Sequence, residues 1–223
     1  MFKLITKVLR KIRKIPGFIS RLARGALGRK QLLTLNRHKS YDDYVAKQVK
    51  KTTDPKRIEK WKTEEWDSKV QGFTKVFSQL DMPLKDKKAL CLGSRTGQEV
   101  FALQTLGANA VGIDLVAFPP YTQEGDVHDL QFDDGAFDLV FSNIFDHALY
   151  PDKFAHEASR VLAGGGLLVL RVQLGYRGDD FSETFITSEE PILELFPGLT
   201  LESQHKLQKQ FDAMELQLVF RKS

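Results

Sequence analysis

The chain has 223 residues, 42% of them hydrophobic and 28% charged. That is enough for one sizeable α/β core, and the composition excludes a collagen-like, disulfide-dense or wholly disordered chain. The single cysteine, Cys91, rules out an intrachain disulfide and a multi-cysteine metal site and favours a reducing compartment. No apolar run approaches the roughly 18 to 20 residues of a membrane-spanning helix, and the N-terminus lacks the unbroken apolar core of a secretory signal.

The net charge of +4 conceals an asymmetry. Residues 1–40 hold twelve Lys or Arg and no Asp or Glu, which leaves 21 basic against 29 acidic residues in the remaining 183, a body of net −8. An acidic body is a poor nucleic-acid surface, because that binding is dominated by neutralising phosphates, so no nucleic-acid partner is expected. In the basic segment, Phe2, Leu4, Ile5, Val8, Leu9, Ile12 and Ile15 fall on one helical arc and Lys3, Lys7, Arg10, Lys11, Arg13 and Lys14 on the other. Pro16-Gly17 interrupts, and a weaker repeat continues toward residue 30. Residues 1–38 therefore read as a basic amphipathic arm: an anchor on an anionic membrane surface, an organellar transit peptide, or a tail that packs its apolar stripe on the body.

Residues 39–84 read as a helical lid or linker. Asp54-Pro55 is a helix start, with a capping side chain before a proline whose missing N–H costs nothing. Ile58, Trp61, Trp66, Val70, Phe73, Val76, Phe77 and Leu80 then recur mostly at three- and four-residue steps up to Pro83, which predicts a helix laid on the main sheet. The two tryptophans fit packing, with stacking on a ring-bearing substrate as the alternative.

From residue 85 the period changes. Ala89 to Leu92 is a short apolar strand, Gly93-Ser94-Arg95-Thr96-Gly97 a tight turn, Gln98 to Leu106 a helix closing on Gly107, and Ala110 to Ile113 a strand ending on Asp114. This is the first βαβ unit of a doubly wound nucleotide-binding sheet. Asp114 lies 21 residues after Gly93, where a carboxylate can accept from both ribose hydroxyls. Gly125-Asp126 to Asn143 and Pro151 to Leu170 follow, with Phe137-Asp138-Leu139-Val140 and Glu157, Arg160, Val161, Leu162 among them. This stretch resembles class I S-adenosylmethionine-dependent methyltransferases, closely the type 11 small-molecule subgroup.

The resemblance implies a Rossmann-like, doubly wound, mostly parallel seven-stranded sheet with an N-terminal helical extension, the domain running over residues 85–223. It implies S-adenosyl-L-methionine as cofactor, no metal, and an acceptor that is a small molecule or lipid-linked. Gly93 and Gly97 would frame the methionine end, with Arg95 pairing with its carboxylate. Asp114 would hold the ribose and Leu115 would flank the adenine. Asp126 would accept from the adenine amine, with a turn-forming role as its alternative, and the Val127 amide would meet a ring nitrogen. Asn143 would line the methyl-transfer mouth. His147 is the candidate base, or else a structural residue opening the next helix.

Two positions depart from the family: Cys91 stands for an acid and Arg95 for a glycine. They motivate an alternative of another class, a degenerate member of the fold that binds cofactor or a protein partner without catalysis. A nicotinamide oxidoreductase is disfavoured because the glycine spacing is not GxGxxG. Gly175 to Asp180 would be a substrate wall. A short helix near Glu189 to Phe196, strands at Leu199 to His205 and Met214 to Arg221 as an antiparallel edge, and a solvated hairpin over Lys206 to Gln210 would complete the chain. The expected location is cytoplasmic, at a membrane surface if the arm anchors, or organellar if it is a transit peptide.

Overall fold

The computed structural model describes residues 32–34, 38–175, 181–208 and 211–223. Residues 1–31 and 35–37 of the amphipathic arm, residues 176–180 of the expected substrate wall, and Lys209 and Gln210 of the expected hairpin lie outside the described residues. In chain order the elements are β1 (Leu33–Thr34), α1 (Tyr41–Thr52), α2 (Pro55–Lys62), α3 (Trp66–Ser78), β2 (Lys88–Leu92), α4 (Gln98–Thr105), β3 (Asn109–Asp114), β4 (Thr122–Glu124), β5 (Phe137–Ser142), α5 (Pro151–Val161), β6 (Leu162–Val172), β7 (Thr184–Phe185), α6 (Glu190–Leu193), β8 (Leu199–Lys206) and β9 (Leu216–Lys222). A single 3₁₀ turn spans Phe145–His147.

Seven strands form one sheet in the order β4-β3-β2-β5-β6-β9-β8. The first five are parallel, whereas β9 is antiparallel to both β6 and β8, as expected for the C-terminal edge. Central strands covered on both faces must be apolar throughout, and alternate residues must serve opposite cores. In β2, Leu90 and Leu92 pack into the layer of α5 and α6 with Phe154, Ala158, Ile192 and Phe196. Ala89 and Cys91 face the other layer, where Phe73 and Phe77 of α3 meet Val100 and Leu103 of α4. Cys91 is fully enclosed, and burial pushes its thiol well up, so it behaves as a small apolar residue.

The long helix expected between Asp54 and Leu80 is two helices. Asp54 caps α2 by accepting from the N–H groups of Lys56 and Arg57, as its sequence requires. Thr63 to Glu65 then break the helix, with the Glu65 N–H turning back to Lys60 O at 3.0 Å. Only α3 packs flat in the layer of α4. Helix α1, capped by the Ser40 side chain, and α2 reach toward the carboxyl ends of the parallel strands instead. Two strand pairings had no sequence signal. The three-residue β4 follows Pro119-Pro120, and β1 pairs with β7 antiparallel as a two-residue ribbon.

Candidate functional site

The chain adds β3 and β4 on one side of β2 and then β5 and β6 on the other, so the connections leaving the carboxyl ends of β2 and β5 diverge at a switch point, the place where open α/β sheets bind ligands. Leu92 pairs with Ser142, which puts the turn after β2 beside Asn143 after β5. Gly93 and Ser94 both donate to Ile113 O, at 2.9 and 3.0 Å, and Gly97 N–H closes the turn on Ser94 O at 2.8 Å. Gly93 and Gly97 take φ of 75° and 87°, where side chains are disfavoured. Their missing Cβ atoms also make room for protein. A Cβ on Gly93 would lie 2.3 Å from Ile144 Cγ1, and one on Gly97 2.3 Å from Tyr121 Cβ. Glycine is therefore required at both positions by backbone conformation and by close packing.

Arg95 takes the middle position with φ 45°, a left-handed conformation that costs a non-glycine residue about 1 kcal/mol. Its N–H donates to Asp114 Oδ2 at 3.0 Å, which ties the turn to the end of β3 and offsets that strain. The guanidinium lies over the Trp61 ring, 5.0 Å from its centre, and among the described residues makes no ion pair. Burial pushes the Asp114 carboxyl up. The Arg95 amide and charge and the N–H groups of Val116 and Leu115 oppose this without cancelling it. A carboxylate held this way suits neutral hydroxyl donors.

Asp126 fulfils its turn-forming role. Its backbone carbonyl accepts from Asp129 N–H at 3.1 Å, and Oδ1 accepts from both the N–H and Nδ1–H of His128 at 2.8 Å. Oδ2 accepts from the Tyr41 hydroxyl of α1. Burial alone raises this carboxyl, but the His128 and Tyr41 hydrogen bonds outweigh it and hold the group below the usual range. Burial, then the hydrogen bond to Asp126 and its charge, push the Tyr41 phenol up. Val127 is buried, and among the described residues its N–H finds no protein acceptor. Leu115 is partly buried next to Asp114.

Asn143 is 4% exposed, and its Oδ1 has no hydrogen-bond partner among the described residues. His147 is engaged at both nitrogens. Nδ1 lies 2.9 Å from Phe181 O and so carries the proton, while Nε2 lies 3.4 Å from the Lys51 ammonium. Asp146 accepts from the Ser182 hydroxyl at 2.8 Å on Oδ2 and has no partner on Oδ1.

Sequence reasoning missed Tyr41 and Tyr44. Tyr44 donates to His147 O at 3.1 Å, Lys47 pairs with Glu183 at 2.8 Å, and the Gln48 amide donates to Phe181 O at 2.9 Å. Helix α1 thus spans the segments that follow β4, β5 and β6 and roofs the switch point. Tyr41 stacks on Tyr150, with ring centres 5.7 Å apart. Two tyrosines three residues apart, just after a serine cap, were the available signal, since that spacing puts both on one helical face. A separate cavity of about 1060 Å³ lies between α3 and the β8–β9 hairpin, and none of the residues above lines it.

The residues present fit S-adenosylmethionine. Asn143 offers an unpartnered buried acceptor, Val127 a donor without a protein acceptor, and Arg95 a guanidinium without an acid partner.

Residues 90–170 match the family described as methyltransferase domain. No curated protein matches the chain. Among solved structures, the fold is similar to the Burkholderia thailandensis 1,6-didemethyltoxoflavin-N1-methyltransferase with bound 1,6-didemethyltoxoflavin and S-adenosylhomocysteine. That match has 13% identity and a TM-score of 0.65, and it covers 86% of this chain and 95% of that one. The Streptomyces coelicolor geranyl diphosphate C-methyltransferase, solved with Mg²⁺, geranyl diphosphate and S-adenosyl-L-homocysteine, has 15% identity, a TM-score of 0.56 and coverage of 69% and 78%. The [4+2]-cyclase SpnF has 16% identity, a TM-score of 0.57 and coverage of 69% and 80%. With the glycine turn, the terminal acid of β3 and the strand order in place, residues 90–170 match a methyltransferase domain and the sheet has the fold of its S-adenosylmethionine-dependent methyltransferase neighbours.

Proposed function

We propose that this chain transfers a methyl group from S-adenosylmethionine to a small-molecule acceptor held between the switch point of the sheet and the roof formed by α1. One observation carries the reading: the Gly93–Gly97 turn, Asp114 and Asn143 converge where β2, β3 and β5 end. S-adenosylmethionine, when bound, supplies an electrophilic methyl group on a positively charged sulfur. In-line displacement of that kind depends on positioning and on excluding water, and the acidic body suits a cationic ligand.

The residues divide these tasks. The backbone of the turn and the Arg95 guanidinium hold the methionine end, and Asp114 accepts from the ribose hydroxyls. Leu115 flanks the adenine while the Val127 N–H meets a ring nitrogen. Asp126 accepts from the adenine amine with the lone pair of Oδ2 that Tyr41 leaves open. Asn143 lines the mouth of transfer and accepts from the nucleophile's own N–H or O–H. A hydroxyl or carbon acid would need a base. His147 could serve only by giving up Lys51 at Nε2, so we assign it to holding the Phe145–His147 turn against the Phe181 segment.

Calorimetry and thermal shift with S-adenosylmethionine, S-adenosylhomocysteine and NAD test the cofactor reading. Stabilisation by the first two is expected, and stabilisation by NAD alone overturns it.

For the acceptor, the bound ligands of the two methyltransferase neighbours support a small molecule. The basic arm supports one that is lipid-linked or lipid-soluble, met at an anionic membrane surface. The described residues include no helix long and apolar enough to cross a membrane. A second reading, a protein of this fold without methyl transfer, is favoured by Arg95 at φ 45° in place of a glycine and by the cyclase among its neighbours. Formation of S-adenosylhomocysteine on addition of an acceptor separates the two.

A further inference from the structure

Glu99 is the second residue of α4, two positions beyond Gly97. A glutamate in a first helical turn ordinarily faces water, where it favours the helix dipole. This one is 4% exposed. Its neighbours are all committed elsewhere. Gln98 donates to Trp61 O at 2.7 Å and accepts from the Thr96 hydroxyl at 3.0 Å, Lys69 pairs with Glu65 at 2.8 Å, and Arg95 lies over Trp61. Among the described residues no ion pair reaches Glu99, and the hydrogen bond to its carboxylate comes from its own N–H. Arg95 and Lys69 act on it only at a distance. A buried carboxylate without a direct ion pair is costly, and a protein that keeps one at the rim of a ligand turn has a use for it.

Resting on the reading that the Gly93–Gly97 turn holds the methionine end of the cofactor, we propose that Glu99 is a further cofactor-binding residue. It accepts from the α-ammonium, while Arg95 four residues earlier takes the α-carboxylate. The two side chains form a complementary pair for a zwitterionic amino-acid head, unpaired with each other and each open to one end of that head. The buried, neutral Cys91 on β2 leaves this task to Glu99. The charged and titratable groups facing Glu99 are Arg95 of the turn, Lys69 of α3, Cys91 of β2 and Asp114 of β3. Burial, opposed by its own N–H, Arg95 and Lys69, pushes the Glu99 carboxyl up to about 7. An arriving ammonium therefore draws it into the ionised state.

The test is isothermal calorimetry on the full chain with S-adenosylhomocysteine and with 5′-methylthioadenosine, which keeps the nucleoside thioether and lacks the amino-acid head. Glu99→Gln is expected to weaken S-adenosylhomocysteine at least about tenfold, the scale of one charge-assisted hydrogen bond, and to leave 5′-methylthioadenosine within about twofold. With the natural sequence, S-adenosylhomocysteine affinity should rise from about pH 6 to 8 as Glu99 ionises, while that of 5′-methylthioadenosine stays flat. This second measurement decides the matter if the variant does not fold. Equal losses for both ligands, or no loss for either, overturn the proposal. If the natural sequence binds neither ligand, the cofactor reading itself fails and the proposal falls with it.

Discussion

Replacing Asp114 by Asn keeps the shape at the end of β3 and removes the charge. In the unliganded protein the substitution should cost little. The folded-state pKa of Asp114 is raised, so its ionised form is disfavoured by folding, and its contribution turns unfavourable as pH rises from the unfolded value through the folded one. A neutral amide is relieved of that cost at pH 7 and can still accept from the Arg95 N–H. Stability within about 1 kcal/mol of the natural protein is therefore expected. Ligand binding should respond differently. A ribose diol presents two O–H donors, and an amide offers a single acceptor atom already turned toward Arg95, so at least one hydrogen bond to a charged group is lost. That loss is about 1.5 to 3 kcal/mol, or roughly 10- to 150-fold in affinity for S-adenosylhomocysteine. Calorimetry measures the affinity and a melting curve measures the fold. Undiminished affinity in a folded Asp114→Asn variant would refute the assignment of Asp114 to the ribose.

Arg160 donates to both oxygens of Glu157, which also accepts from Leu130 N–H at 2.6 Å, and these bonds hold the Glu157 carboxyl below its ordinary range. Their stabilisation is present above the unfolded pKa near 4.5 and is lost as pH falls through the folded value. Glu157→Gln should therefore lower stability by about 1.5 to 3 kcal/mol at pH 7 and flatten acid unfolding below about pH 5, read by melting curves across pH. His147→Ala should loosen the Phe181 segment and leave cofactor affinity unchanged. If turnover of an identified acceptor falls most at low pH and recovers with more acidic acceptors, His147 is a base after all. The intact chain should co-sediment with anionic vesicles at low salt and a chain starting at Lys39 should not, since six basic residues contribute about 1 kcal/mol each near such a surface. Equal sedimentation of the two removes the anchor.

The sequence by itself determined the βαβ unit from Ala89 to Asp114, the apolar strand at Phe137 to Ser142 and the antiparallel edge. Each depends on local rules: short apolar runs, glycines at positive φ, and an acid at a strand's end. The glycine spacing singled out Gly93, Gly97 and Asp114, and the family resemblance added Asn143; the sheet brings the four to neighbouring strand ends. Tertiary structure alone decided what surrounds them. Tyr41 reaches Asp126 across 85 residues and Tyr44 reaches His147 across 103, contacts that exist only once β4, β5 and β6 have aligned their carboxyl ends beneath α1. Ile144 and Tyr121 occupy the space left by the two glycines, a constraint invisible in the glycine spacing itself. The periodicity that reads as one helix over residues 54–80 continues across Thr63 to Glu65. Only packing separates the half that covers the sheet from the half that turns toward the site. Glu99 looks like a solvated first-turn acid in the sequence and is buried in the fold. Burial is a property of the assembled layers, and no local pattern encodes which face of a short helix will be sealed by α3 and Trp61.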